Sequence, residues 1–464
     1  MMELLCHEKK RGAVLPAVLL VMILISVIGL GLMRLAYTDS TETARLRNRY
    51  QAFWLAEAGL REFAAVVAVP ENYTQLEFVG PAPGLVGPDV MRRTFPGFGG
   101  YSIDVSADPQ NPVSSLKRYT VISTGTALDG ETVRIELQAE TATFGMFSYS
   151  SHSEQNINFD TDDVIGQDMD DLDQNGMLQT DDQLHITGSP DFWAAVRSAS
   201  GTVDYNDGRL GQYIDPAVFH NGLDLGVDKL DFSQQNFDQI KEQVPVSDRL
   251  PGDYAVTFVD NLYVLENKAT GSVSTNYISS LGTANEERVI YVTGDVEVKG
   301  NVGTSVSVAA EGSVYIVDDL VYTSSIPYGH HTEWPSSYAP DDDEVLGLFS
   351  NKRVQISEGW NIGDVDIHAT ILVTEYEGGT ELGEWEETYS GFGAEWDGSG
   401  QYDYNSSYGR IYLYGSLSNY RRSAVGLVGG KGYIKYYFYD PRLRRNPAPG
   451  TPLTGYEFSE WRML

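Results

Sequence analysis

Gly12-Ala13-Val14-Leu15-Pro16 opens an apolar run that reaches Met33 without a charge (GAVLPAVLLVMILISVIGLGLM, residues 12–33), directly after Lys9, Lys10 and Arg11. As a helix rising ~1.5 Å per residue, Ala13–Met33 is roughly 31 Å long, the thickness of one bilayer core. A cleaved secretory signal has an apolar core of only about 7–15 residues followed by a small-x-small site. This run is longer and passes into more helical sequence, so it reads as a retained anchor. Its basic flank stays in the cytoplasm and the rest of the chain is exported.

The helical pattern continues past the apolar run. Leu46, Tyr50, Phe53, Leu60, Phe63 and Val67 recur at spacings of three, four and seven, the mark of one helix face. Arg45, Arg47, Arg49, Glu57, Arg61 and Glu62 are interleaved with them, and Pro70 supplies a stop. One helix from about Ala13 to Val67 would be roughly 80 Å long. Tyr50, Phe53, Glu57 and Leu60 are its candidate assembly face. Glu57 reads either as a solvated helix charge or as a partner for a basic group on a neighbouring subunit.

A short basic leader ending in Gly12 and abutting an apolar helix resembles the type IV pilin and pseudopilin class. The stretch Ala52-Phe53-Trp54-Leu55-Ala56-Glu57-Ala58-Gly59-Leu60 resembles the A-F-x-x-A-E-A-G-L signature of PilX-like minor pilins. The resemblance implies that prepilin peptidase cuts between Gly12 and Ala13, and that other pilin-like subunits are partners. Ala17 stands where most major pilins carry Glu, which fits a minor or tip-type member rather than a bulk filament subunit.

After a Gly- and Pro-rich stretch (Pro81 to Gly97), three runs alternate with period two: Tyr101–Val105, Arg118–Thr124 and Thr132–Ala139. Asp129-Gly130 marks a hairpin turn between the last two. From about Phe144 the texture changes to short apolar runs broken by Gly or Asp. Examples are Val256–Val264, Ile290–Val298, Val314–Tyr322 and Ile411–Leu417, with Leu184–Ser189 a weaker copy. Such strands predict a β-solenoid, with a β-sandwich as the alternative. Leu184–Phe192, Val289–Val302, Glu311–Tyr322, Val345–Ile356, Asp366–Thr374 and Gly432–Leu443 together resemble an uncharacterised C-terminal region found on some PilX-like proteins. The basic, Pro-rich tail Arg442–Gly450 reads as a closing strap.

Composition bounds the function. A formal net charge of −33 excludes direct nucleic-acid binding, which needs a basic surface. It suits an exported domain or one that gathers divalent cations. Cys6 is the only cysteine, so no intrachain disulfide forms and core burial must hold the exported part.

Asp171-Leu172-Asp173-Gln174-Asn175-Gly176-Met177 through Asp182 matches a calcium-loop pattern, with Asp171, Asp173, Asn175, the Met177 carbonyl and Asp182 as ligands. The same residues also fit an acidic turn in which Asn-Gly is turn chemistry. His330 and His331 could bind metal, although adjacent strand residues point oppositely. Asp341–Glu344 reads as a solvated acidic turn, and His185 and His368 as structural histidines. No Gly-x-Ser-x-Gly elbow, P-loop or Cys/His zinc cluster is present. Trp360, Trp385 and Trp396 could stack on sugars, in an adhesin or a polysaccharide-acting enzyme alike.

The expected protein is therefore α+β. A leader (1–12) precedes a transmembrane and amphipathic helix (13–69), a small antiparallel sheet (70–143), a large β-rich surface domain (144–445) and a tail (446–464). It is expected to be non-enzymatic and single-pass in a bacterial inner membrane. Its C-terminus would be exported and would display a tip or adhesive module, with surface polysaccharide as a candidate ligand and calcium as a candidate ion.

Overall fold

The computed structural model describes residues 14–67, 87–107, 118–152, 158–159, 164–165, 175–205, 215–281, 288–324, 343–357, 363–374, 391–394, 407–421, 426–427 and 431–464. The chain forms two compact units. The first comprises 1–107, 119–139 and 458–464; the second comprises 108–118 and 140–457.

The first unit is built on helix α1 (Val14–Val67, 54 residues). Its lower half is exposed along its whole apolar length, and it is long and apolar enough to cross a membrane. Ser26, the polar residue inside that span, donates its hydroxyl to the Met22 carbonyl at 2.8 Å, so it carries no unpaired donor into an apolar medium. The upper half buries Ala52, Leu55, Ala56, Gly59, Leu60, Phe63 and Val67. Their three- and four-residue steps make one stripe facing the sheet.

That sheet has five strands: β1 (Gly87–Phe95), β2 (Gly99–Ala107), β3 (Arg118–Ala127), β4 (Thr132–Thr143) and then the C-terminal strand Leu453–Met463. β1–β2 and β2–β3 are antiparallel. The register sets Tyr101 opposite Gly125, Ile103 opposite Ser123 and Val105 opposite Val121. Period-two alternation points Tyr101, Ile103, Val105, Tyr119 and Val121 inward. The three expected strand runs and the Asp129-Gly130 turn are present, and Gly130 takes a φ of +90°.

Two strands lie where none was expected. β1 falls in the Gly/Pro stretch, carries Pro88, Arg92 and Arg93, and is largely exposed; such a strand has no apolar alternation to read. Leu453–Met463 falls in the tail 446–464, yet it is the fifth strand of the sheet that begins with β1.

In the second unit the ladders are mostly parallel. Phe147–Ser151, Met177–Thr180, Ala195–Ser198 and Leu223–Leu225 lie side by side in parallel. Asn158–Phe159, His185–Ile186 and Asp204–Tyr205 form a second parallel ladder. Val164–Ile165 and Asp191–Phe192 pair in a third, onto which Phe219 bridges through Phe192. Each turn of chain thus adds one strand to each of three faces.

The later part repeats the scheme. Val289–Val292, Val306–Ala310, Leu346–Ser350, Val365–Val373 and Ser407–Asn419 stack in one parallel ladder. Tyr254–Asp260, Val296–Val302, Val314–Tyr322, Val354–Ile356 and Phe392–Ala394 stack in another. Val298, Ile316 and Ile356 occupy one aligned row, and such rows fill the shared core. Full burial of each side chain is worth roughly 1.5–3 kcal/mol.

Leu417–Asn419 pairs with Tyr149–Ser151. The first strand of the unit therefore lies between its own successor (Met177–Thr180) and the last turn of the stack. The chain enters the stack mid-way, builds outward, then returns from the other end.

Several strands are buried on both faces, Leu346–Ser350 among them. A second apolar cluster explains this. Helix α2 (Gln234–Gln243) contributes Phe237 and Ile240, and the strap contributes Leu443 and Ala448. These pack on Val289, Tyr291, Phe349 and Leu372.

Candidate functional site

Helix α1 divides its upper half between two tasks. Inward, the small residues Ala52, Ala56 and Gly59 let the sheet approach closely. A Cβ on Gly125 would lie 2.0 Å from the Ala52 carbonyl oxygen, and one on Gly59 would lie 2.5 Å from the Ser123 hydroxyl. Helix and strand backbones meet there because neither residue has a side chain. Ala52, Ala56 and Gly59 of the A-F-x-x-A-E-A-G-L stretch are thus packing positions, while Ala58 is exposed.

Outward, Leu46, Tyr50 and Trp54 follow one another at four-residue steps and are 57%, 66% and 61% exposed. They continue the exposed apolar surface of the lower helix, and Arg45, Arg47 and Arg49 flank them. This stripe is the candidate assembly surface.

Of the expected face, Tyr50 lies on this stripe. Phe53 is half-buried, edge-on to Trp54 (5.4 Å) and to Trp461 of the C-terminal strand (6.1 Å). Glu57 pairs with Arg61 on its own helix at 3.1 Å. Leu60 is buried against the sheet. Trp54, outside the expected face, completes the stripe, and its four-residue step from Tyr50 is its signal in the sequence. Gly12 and Ala13 lie outside the described residues.

A polar tie fastens the helix to the sheet beside this surface. Glu62 accepts from Arg93 at 2.8 Å and from the Tyr101 hydroxyl. The Tyr101 hydrogen bond, with Arg93 adding to it, holds the Glu62 carboxyl below its usual range. Burial, reinforced by the bond to Glu62, pushes the Tyr101 hydroxyl up to about 12.

The charge is unevenly divided. The first unit's sequence holds 12 basic and 14 acidic residues and the second 20 and 51, so −31 of the −33 belongs to the second unit. Many of those acids cap backbone. Asp253 accepts from the Asp295 N–H (2.8 Å), Asp295 from Ser313 (2.7 Å), Asp319 from Asp366 (2.9 Å) and Asp364 from Arg410 (2.9 Å). Each carboxylate ties one turn of the stack to another, which gives the acidic turns a structural role.

Among the expected calcium ligands, Asp171 and Asp173 lie outside the described residues. Asn175 is buried and its carboxamide donates to the Trp193 carbonyl at 3.2 Å. The Met177 carbonyl accepts from the Ser148 hydroxyl at 3.1 Å. Asp182 accepts from Ser198 at its carbonyl, at 2.8 Å. Among the described residues no three His, Cys, Asp or Glu side chains cluster as a metal site. His330, His331, Trp360, Trp385 and Trp396 also lie outside the described residues.

Glu344, read as part of a solvated acidic turn, is instead buried and accepts from the Ser324 backbone and hydroxyl. His185 is tied to Asp204 at 2.8 Å. His368 stands between the rings of Tyr322 (5.1 Å) and Tyr414 (5.6 Å), with its Nδ1 accepting from the Tyr322 N–H at 3.2 Å. Burial, with the nearby Arg442 cation adding to it, pulls its pKa down to about 3. Arg442 itself forms a buried ion pair with Asp440 at 2.6 Å and lies over the Tyr322 ring at 5.0 Å.

No family model matches the chain, and no curated protein does. Among solved structures, the competence-associated pilin ComZ from Thermus thermophilus aligns over 90% of this chain and 98% of its own, at 11% identity and a TM-score of 0.27. Nothing functional is carried over from a likeness of that size.

Proposed function

We infer that this is a minor pilin-like structural protein of a type IV pilus or a type II secretion-like assembly. It is held in the bacterial inner membrane by α1, with its C-terminal units exported. The observation that carries this reading is the division of α1. One continuous helix exposes an apolar half of bilayer length and then an outward Leu46–Tyr50–Trp54 stripe, while its other face is locked to a small sheet. Lipid covers the lower half before assembly; neighbouring pilin-like helices cover both exposed surfaces afterwards.

The parallel ladders support reading the second unit as a β-solenoid displayed at a tip or as an adhesive module. Surface polysaccharide is the ligand class considered for it. Calcium held by the 171–182 loop belongs to the same proposal, and titration of the full chain with calcium, with Asp182→Ala as control, tests that part. The reading assigns no catalytic step.

The test is N-terminal sequencing of the membrane-purified protein. A pilin-like subunit begins at Ala13 and retains residues 1–12 when prepilin peptidase is blocked or Gly12 is replaced. The rival reading, a signal-anchored adhesin that never joins a filament, predicts the same N-terminus in all three cases.

A further inference from the structure

The strand Val273–Tyr277 closes one end of the second unit's sheet. It pairs antiparallel with Leu262–Asn267, which pairs antiparallel with Tyr254–Asp260. Among the described residues no strand lies on its other side. The register places Leu265 opposite Ser274 and Tyr263 opposite Asn276. The flanking backbone bonds Asn267 N to Ser272 O (2.9 Å) and Ile278 N to Asn261 O (3.0 Å) show which positions face inward. Residues 272, 274, 276 and 278 turn their backbone groups toward the neighbouring strand, so Val273, Thr275 and Tyr277 turn theirs to the open side. Of these, the Tyr277 carbonyl also accepts from the Ser280 hydroxyl at 2.6 Å; a carbonyl has a second lone pair.

This edge lacks the usual protections. It has no Lys, Pro or bulge, and its side chains bury little: Val273 is 64% and Tyr277 65% exposed. The strand is held by its ladder bonds more than by a core. Residues 269–285 contain no charged side chain, in a unit that carries −31. Two copies of so acidic a unit repel one another over most of their surface. The edge strand itself carries no charge, the nearest being Glu266 opposite Val273 on the neighbouring strand, and an unblunted edge is a template for another strand.

We propose that Val273–Tyr277 pairs antiparallel with the same strand of a second copy, about a two-fold axis at Thr275. That register sets Thr275 against Thr275 and Val273 against Tyr277, twice by symmetry. Thr–Thr and aromatic–β-branched pairs are favourable cross-strand neighbours. The positions that meet as hydrogen-bonded pairs are the three whose backbone groups face outward. The two-fold contact is closed, so it ends at a dimer rather than a fibre. The pairing is independent of how α1 is used.

The test uses the full chain in detergent, with Cys6→Ser removing the native thiol. Opposed Thr275 residues would have Cα atoms about 5.5 Å apart, within disulfide reach; opposed Asn276 residues would be roughly 8 Å apart, beyond it. Under mild oxidation, Thr275→Cys should give a covalent dimer and Asn276→Cys should give at least tenfold less. Adding Tyr277→Lys to the Thr275→Cys chain should cut the linked fraction about tenfold. Absence of a Thr275→Cys dimer, equal linking at both sites, or insensitivity to Tyr277→Lys overturns the proposal. So does occupancy of the edge by a strand from a different protein.

Discussion

Ser150 donates its hydroxyl to Ser418 at 2.7 Å, in a buried position, across 268 residues of chain. The bond marks the seam where the last turn of the stack closes onto the first. Deleting one hydroxyl leaves the other buried without that partner, which costs about 1–3 kcal/mol; deleting both is nearly neutral. Ser150→Ala and Ser418→Ala should each lower stability by that amount, and the double variant should recover most of it. Denaturant unfolding of the full chain measures this, and additive losses would deny the pairing.

Gly125 and Gly130 separate steric from conformational need. At Gly125 a Cβ meets helix backbone at 2.0 Å, so Gly125→Ala should pry α1 from the sheet and cost several times more than Gly130→Ala. Gly130 has open space but a φ of +90°, which an alanine tolerates at roughly 1–2 kcal/mol. Tryptophan fluorescence during unfolding reports the difference through Trp461, which packs on Phe53.

His368 sets an acid limit. Its folded pKa of about 3 lies below the ordinary 6.5, so below pH 6.5 the unfolded chain takes up a proton that the folded chain refuses. Stability present above pH 6.5 should fall as pH drops through 3, by at most about 5 kcal/mol. His368→Gln should flatten this part of the melting-temperature profile. An unchanged slope counts against the assignment.

Glu62 and Tyr101 bracket the other unit. The Glu62 contribution is present above its ordinary 4.5 and is lost as pH falls through its lowered folded value. The Tyr101 contribution is present below pH 10 and is lost as pH rises toward 12. Tyr101→Phe should abolish the alkaline loss and weaken the acid one. Absorbance titration of tyrosinate against helix content checks both limbs.

Trp54 should matter for assembly and not for folding. Because it is 61% exposed, Trp54→Ala should leave the melting temperature within about 1 °C while reducing recovery of the chain in assembled fractions. Leu60→Ala, at a buried position, should lower stability by about 2–5 kcal/mol.

Local period is a property of consecutive residues. The sequence alone therefore determined the apolar span, the helix to Val67, the three alternating strands of the small sheet and the turn at Asp129-Gly130. It also separated an acidic, strand-rich second half from the anchor. It did not separate the two faces of the upper helix. Leu46, Tyr50, Phe53 and Leu60 share helical spacing, yet the sheet buries Leu60 and leaves Tyr50 outside, and small residues rather than large ones make the closest contact. Nor did it show that Leu453–Met463 completes the five-stranded sheet, that Ser150 lies against Ser418, or that Glu344 and the turn aspartates hold backbone and not solvent. Those outcomes depend on which strand lies beside which. Pairing of strands hundreds of residues apart is decided by register and closure of the tertiary structure, for which neighbouring residues carry no period.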